Sequence, residues 1–136
     1  MLTTLKLLHD DENKRDGTEK IEITHKDILC VKIAGLCHDL GHGPFSHLFD
    51  RKFIPRATEK DEWKHEDASC ELLDHMIKTN PNVNEMFTKN GIGDTEIKMI
   101  KDMILGDPKE EVPETTYHGR KLKKQFLYEI VSSTSL

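Results

Sequence analysis

The sequence has few cysteines and no apolar run long enough to cross a membrane. Its three cysteines, Cys30, Cys37 and Cys70, form no CxxC pair. Cys30 and Cys37 are seven positions apart, which in a helix is roughly 10 Å and too far for a disulfide. We therefore expect reduced thiols and a nuclear or cytoplasmic location. Because the first residues also lack the pattern of a secretory signal, we expect a soluble chain without a membrane partner.

The sequence also lacks an excess of positive charge. A net charge of −5 over 136 residues argues against non-specific nucleic-acid binding by the chain as a whole. A local cluster of histidine and lysine side chains can still hold a small polyanion. The basic run at residues 120–124 is interpreted as a solvated surface, with a nuclear-import signal or a phosphate contact as alternatives.

We find no convincing strand pattern, internal repeat or low-complexity tract, whereas helical patterns recur along the chain. With 35% hydrophobic and 33% charged residues, the chain can form a modest core, so we expect one domain or part of one. Thr24 followed by Asp27 is typical of a helix N-cap with an acidic first turn, and Asp94 is predicted to cap a later helix. Gly91 and Gly106 stand where helices commonly stop.

The predicted fold class is all-α. Helices are predicted over residues 2–8, 25–40, 45–53, 65–78, 81–90, 94–105 and 126–132, and loops over 10–17, 55–64 and 107–117. The apolar spacing predicts that two sets of side chains face the core, namely Leu72, Leu73, Met76 and Ile77 in one helix and Ile97, Ile100, Met103 and Ile104 in another.

Residues 36–50 are the most informative stretch of the chain. Within thirteen of these positions lie three of the eight histidines and two carboxylates, directly after the mostly apolar run from Ile28 to Cys37. This run predicts a buried helix whose last turn carries His38 and Asp39 into the interior. A buried pair of this kind needs a partner, and a metal ion that accepts an imidazole nitrogen and a carboxylate oxygen at a helix end meets that need.

The alternative interpretation is a hydrogen-bonded core pair without a metal. The residues after Leu40 favour the metal, because they supply titratable groups where the surroundings of an ion or a phosphate pocket need them. Gly41 and the pair Gly43-Pro44 are predicted to stop the helix and turn the chain. His47 and Asp50 are three positions apart, so the carboxylate can orient the imidazole as a proton donor, or the two can form a plain surface pair.

The stretch from Ile33 to His47, which reads IAGLCHDLGHGPFSH, resembles the central motif of the HD-domain phosphohydrolases. The similarity continues through Arg51 to Pro55, Trp63 to Glu66 and Phe126 to Ser132, so that it covers roughly residues 20–132. Within that superfamily the chain is most similar to the vertebrate deoxynucleoside triphosphate triphosphohydrolases that combine a sterile-alpha-motif with an HD domain.

The resemblance implies a helical HD domain that holds a divalent metal, either Fe, Mn, Zn or Mg. In the family the metal is held by four side chains, of which His38 and Asp39 match the central two. The other two are a histidine expected before Met1 and an aspartate expected after Val131. Residues 1–136 are therefore expected to form a partial HD domain that consists of the central helices only.

The same resemblance implies roles for the remaining site residues. His47 is the expected proton donor, oriented by Asp50 and supported by His65 and Glu66, while His42 contacts a substrate phosphate. For His65 and Glu66 the alternative is a simple complement to the helix dipole.

The implied activity is hydrolysis of deoxynucleoside triphosphates to deoxynucleoside and triphosphate. The isolated chain is expected to have weak activity or none. Hydrolysis of cyclic nucleotides or guanosine tetraphosphate is the less favoured specificity. The alternative function is a catalytically silent subunit that associates with full-length homologues, and a homo-oligomer is the other expected assembly.

Overall fold

The computed structural model describes residues 23–58, 63–106, 116–117, 120–121 and 126–131. The predicted helix at 2–8 and the predicted loop at 10–17 lie outside these residues. The helices are α1 (His25–Cys37), α2 (Ile54–Thr58), α3 (His65–Thr79), α4 (Pro81–Lys89), α5 (Asp94–Leu105) and α6 (Phe126–Glu129), with a π-helical turn at Phe49–Phe53. The predicted all-α fold class is confirmed.

A two-residue β-ladder is the exception to the helical pattern. Strand β1 (Thr116–Tyr117) pairs antiparallel with β2 (Arg120–Lys121), so that Thr116 lies opposite Lys121. The sequence offered no convincing strand here, because two residues are too few for a period-2 pattern to be recognised. The ladder includes the first two residues of the basic run.

Helix α1 begins where the sequence predicts. The Asp27 backbone N–H donates to Thr24 Oγ1 at 3.2 Å, and the Thr24 backbone N–H donates to Asp27 Oδ2 at 2.8 Å. These two hydrogen bonds form a reciprocal capping box, and Asp27, one of its two residues, is fully buried. The helix ends at Cys37 and not at Leu40, because residues 38–41 form a turn that contacts α3.

The other helix ends are governed by local signals. Gly91 and Gly106 adopt φ of +68° and +75°, the left-handed conformation expected at a helix stop, so both predicted stops are confirmed. The prediction of Asp94 as a cap is wrong by one residue: the cap is Gly93, whose backbone N–H donates to Glu96 Oε2 at 3.0 Å.

The segment after His47 stays helical longer than the sequence predicts. The predicted loop at 55–64 is wrong at its start, because the chain passes from the π-helical turn directly into α2. Pro55 is the second residue of α2, and because proline donates no backbone hydrogen bond it is commonly found where a helical ladder changes, here from π-helical to α-helical turns.

The core forms where α1, α3, α5 and α6 meet. Its buried side chains are Cys30, Val31, Ala34, Cys37, Cys70, Leu73, Ile92, Met99, Ile100, Met103, Ile104, Leu127 and Tyr128. The predicted inward faces are confirmed for Leu73 and for the α5 residues, with Met76, Ile77 and Ile97 packed at the edge of the core. Leu72 is the wrong prediction, since it is exposed on α3. Among the described helices, none has the length and apolar character that crossing a membrane requires.

Candidate active site

A single cleft of about 840 Å³ collects every site residue predicted from the sequence. It lies between the turn after α1, the π-helical turn and the start of α3. The seven predicted residues that line it are His38, Asp39, His42, His47, Asp50, His65 and Glu66. The fold therefore brings residues from the end of α1 to the start of α3 together at one concave surface.

The turn at residues 38–41 approaches α3 with no space for a side chain at Gly41. A Cβ added there would lie 2.1 Å from the carbonyl oxygen of His65 and 2.7 Å from the backbone nitrogen of Ser69. Gly41 was predicted to stop α1, but α1 has already ended at Cys37. Glycine is required here because two backbones meet, not because the helix ends.

His38 and Asp39 lie at the rim of the cleft. The prediction that they point into the interior is wrong, because their side chains are 41% and 60% exposed. The reason is that α1 ends at Cys37, three residues earlier than predicted, and the following turn carries both side chains to the surface.

The His38–Asp39 pair fits a metal ion nevertheless. His38 Nδ1 lies 2.9 Å from the carbonyl oxygen of Gly35, so Nδ1 is placed to donate its proton there, and in that tautomer Nε2 carries the lone pair that could bind a metal. His38 Nε2 and Asp39 Oδ2 are 3.2 Å apart. Two donor atoms side by side at this spacing suit one ion with bonds of about 2.0–2.2 Å.

Asp50 is the centre of a second group of residues, deeper in the cleft. Its side chain is 7% exposed, and its Oδ2 lies 3.0 Å from His42 Nδ1, 3.3 Å from His65 Nδ1 and 3.8 Å from His47 Nδ1. The sequence paired Asp50 with His47 alone, whereas two other imidazoles are nearer. The rings of His42 and His65 are stacked, with centroids 3.6 Å apart.

The carboxylate of Asp50 is buried without an aligned hydrogen bond among the described residues, and so is His42 Nδ1. The contacts to the imidazoles are therefore short in distance but not directed as hydrogen bonds. A buried carboxylate in this state is costly unless a positive charge offsets it, which is the role of a protonated imidazole or a metal ion.

One donor atom from each of His42, His47, Asp50 and His65 lies within 4.8 Å of the others. These four residues can hold a metal ion, so the prediction of a divalent-metal site is confirmed at the level of the donor set. His38 and Asp39 are not members of this set. His42 connects the two groups, because its Nε2 lies 3.5 Å from Asp39 Oδ1.

Burial is the main influence on the pKa of the His65 imidazole. Burial lowers the pKa of its imidazole, and the Glu66 carboxylate, whose Oε2 lies 3.3 Å from Nδ1, acts in the opposite direction. His42 lowers the pKa further, and Asp50 raises it. The pKa of His65 is therefore lowered overall, although the ring lies between two carboxylates.

Several further residues line the cleft, and three of them bear on its chemistry without having been predicted as site residues. Arg51 and Lys64 contribute positive charge, and Trp63 contributes an aromatic wall. The position of Lys64 directly before His65 is the sequence signal that could have indicated it. Ser69 was also missed, because nothing in the local sequence marks it.

The chain belongs to the HD domain family, whose model matches residues 1–115. Among curated proteins, the chain is similar to the deoxynucleoside triphosphate triphosphohydrolase SAMHD1 of several vertebrates. The identity is 47% over 116 residues for Mus musculus, 49% over 121 residues for Gallus gallus and 45% over 116 residues for Homo sapiens. The resemblance to HD-domain phosphohydrolases is confirmed.

These matches cover most of the chain and a small part of the relatives. They include 84%, 88% and 84% of the chain in the order given, but 18%, 20% and 18% of the relatives' own length. The chain therefore spans about a fifth of the length of the curated relatives it matches.

Replacing Gly41 with alanine tests the backbone contact. We expect Gly41→Ala to lower the free energy of unfolding by about 1–3 kcal/mol, because the new methyl group meets backbone and not a flexible side chain. Gly93→Ala is the matched control, since its Cβ would meet only Glu96 Oε2 at 3.6 Å, and we expect a loss of about 1 kcal/mol or less. Urea unfolding followed by circular dichroism measures both. Equal losses of unfolding free energy in the two variants would contradict a close backbone contact at Gly41.

The charge state of His65 can be measured by an NMR pH titration. We expect its midpoint below the value of about 6.5 for an unperturbed histidine. Because the unfolded chain then takes up the proton first, His65 removes stability as the pH falls below about 6.5. Glu66→Gln should lower the midpoint further, because the carboxylate favours the protonated ring. A midpoint that rises in this variant would refute the assignment of causes.

Proposed function

We propose that this chain is the central part of a metal-dependent deoxynucleoside triphosphate triphosphohydrolase. The reaction is hydrolysis of a deoxynucleoside triphosphate to the deoxynucleoside and inorganic triphosphate. The observation that carries the proposal is the single cleft that contains both the His38–Asp39 pair and the Asp50 cluster. The names of the relatives support the substrate class.

The chemistry requires a water molecule to attack the α-phosphorus and the deoxyribose 5′-oxygen to leave with a proton. When bound, a divalent metal lowers the pKa of a water ligand and neutralises phosphate charge. His47 is the proposed proton donor, because its exposed ring at the mouth of the cleft can reach a leaving oxygen. Asp50, His65 and Glu66 are proposed to hold and return protons behind it.

Two positive side chains line the cleft together with four carboxylates, so a polyanionic substrate needs a metal ion or protonated imidazoles to offset the negative charge. The chain has a net charge of −5, so attraction of a triphosphate depends on local charge. Arg51 and Lys64 line the cleft and are proposed to contact phosphate oxygens. His42 lies between Asp39 and Asp50 and is proposed to bind a substrate phosphate from there.

We propose His38 Nε2 and Asp39 Oδ2 as two of the metal ligands. Residues 1–136 are then a partial HD domain, and a further histidine and aspartate of a longer protein complete the ligand set. The small share of the relatives that the chain matches supports this reading. The four-residue set around Asp50 is the alternative metal site, and the donor distances there favour it as a specific second candidate.

A second candidate function is association with a longer homologue or with another copy, in which the chain is a catalytically silent subunit. Exposed apolar side chains favour it, notably Leu36 and Phe45, which are 80% and 85% exposed, and Leu48 and Phe53 nearby. Co-purification with a longer homologue tests this candidate. A nuclear or cytoplasmic location is proposed as well, supported by the three buried free cysteines.

Calorimetric titration with Mn²⁺ distinguishes the two metal sites. We expect Asp39→Asn to weaken Mn²⁺ binding by more than about tenfold, since loss of even an indirect contact has effects of this size. Asp50→Asn should change binding less, and Glu85→Gln, an exposed carboxylate on α4, serves as the control. If Asp50→Asn abolishes binding and Asp39→Asn does not, the metal is held by the cluster.

A chimera tests the activity. The chain replaces the matching 116-residue stretch of the Mus musculus relative, and release of triphosphate from dGTP is measured. We expect the chimera to be active and His47→Ala to lower its kcat by about 10²- to 10⁴-fold, the usual contribution of a positioned proton donor. His75→Ala, an exposed histidine on α3 away from the cleft, is the matched control. An active His47→Ala chimera would remove His47 from the mechanism.

A further inference from the structure

The hydroxyl group of Ser69 joins α3 to the turn that carries His38 and Asp39. Ser69 is fully buried, although its side chain is polar. Its Oγ accepts a hydrogen bond from the Gly41 backbone N–H at 2.8 Å and donates one to the His38 carbonyl oxygen at 2.8 Å. The two ends of the turn at residues 38–41 are thus held by one side-chain atom.

The direction of this hydrogen bond is unusual for a hydroxyl within a helix. Thr58, Thr79 and Thr88 each donate to the carbonyl oxygen four residues earlier in their own helices. The corresponding acceptor for Ser69 is the carbonyl oxygen of His65. Ser69 instead donates to a residue 31 positions away, so its hydroxyl serves a contact between elements.

Ser69 also stands four residues after His65, which puts both on the same face of α3. That face meets the turn at Gly41, where the His65 carbonyl oxygen leaves no space for a Cβ. The His38–Asp39 pair is therefore fixed against the same helical turn that carries His65 and Glu66.

We propose that Ser69 is a positioning residue that sets the distance between the His38–Asp39 pair and the His65–Glu66 pair. This inference rests on the proposed function, because it assumes that both pairs act on one substrate. Reacting groups misplaced by about 1 Å lose about 10²-fold in rate, so a hydroxyl that fixes two pairs has a large effect without contacting substrate.

The test compares Ser69→Ala with Thr79→Val in the 136-residue chain. The control removes a hydroxyl from the exposed end of the same helix, where it bonds only to its own helix. At one fixed pH, ¹H–¹³C NMR records the imidazole signals of His38 and His65, and calorimetry records Mn²⁺ binding. We expect Ser69→Ala to move both imidazole signals and to weaken Mn²⁺ binding about tenfold or more, and Thr79→Val to change neither.

In the chimera, we expect Ser69→Ala to lower kcat for dGTP about 10²-fold with little change in KM. A merely structural role would reduce the amount of folded protein and leave the kcat of the folded fraction unchanged. The NMR readout does not need hydrolysis, so it holds or fails independently of the proposed function.

Ser69→Cys is the second variant, because its thiol keeps a weak donor and acceptor at this position, although sulfur is larger than oxygen. If Ser69→Ala does not fold, Ser69→Cys is expected to give intermediate shifts of both imidazole signals and intermediate Mn²⁺ binding. Unchanged imidazole signals and unchanged Mn²⁺ binding in a folded Ser69→Ala or Ser69→Cys chain would overturn the proposal.

Discussion

The backbone contact between the turn after α1 and the first turn of α3 determines the geometry of the cleft. At Gly41 the two backbone segments approach so closely that only a hydrogen atom fits as the side chain. The His65 carbonyl oxygen forms the opposing surface. One side of this contact carries His38 and Asp39, and the other carries His65 and Glu66. Because interiors are packed without spare volume, the separation of these groups follows from the contact and not from the flexibility of the side chains.

The parts of the fold that sequence reasoning predicts are those with local causes. The start of α1 follows from the Thr24–Asp27 capping box, and the ends of α4 and α5 follow from Gly91 and Gly106. The end of α1 was not predictable in this way, since residues 38–41 leave the helix for contacts with α3, 28 positions away. The π-helical turn that includes Asp50 likewise has no local sequence signal, although such turns occur frequently at functional sites.

The same distinction between local and distant causes applies to the candidate site. The sequence identified which residues take part in the site, and all seven predicted site residues line the cleft. It did not indicate their depth: the His38–Asp39 pair is exposed at the rim, while Asp50 is buried among three imidazoles. Burial depends on how α3 and the π-helical turn fold over the motif, and those elements are distant in sequence. For this reason the shared role of Asp50 and the contribution of Ser69 emerge only from three-dimensional contacts.

The difference in depth favours a division of work between the two groups. The side chains of His38 and Asp39 at the rim are accessible to solvent and to ions, whereas the buried carboxylate of Asp50 needs positive charge close to it. Imidazoles can provide that charge by taking up a proton, and an anion that enters the cleft favours the protonated form. His42 faces Asp39 on one side and Asp50 on the other. The rim pair and the buried carboxylate are therefore connected through the ring of His42, and we propose that negative charge arriving at the rim affects Asp50 through this contact.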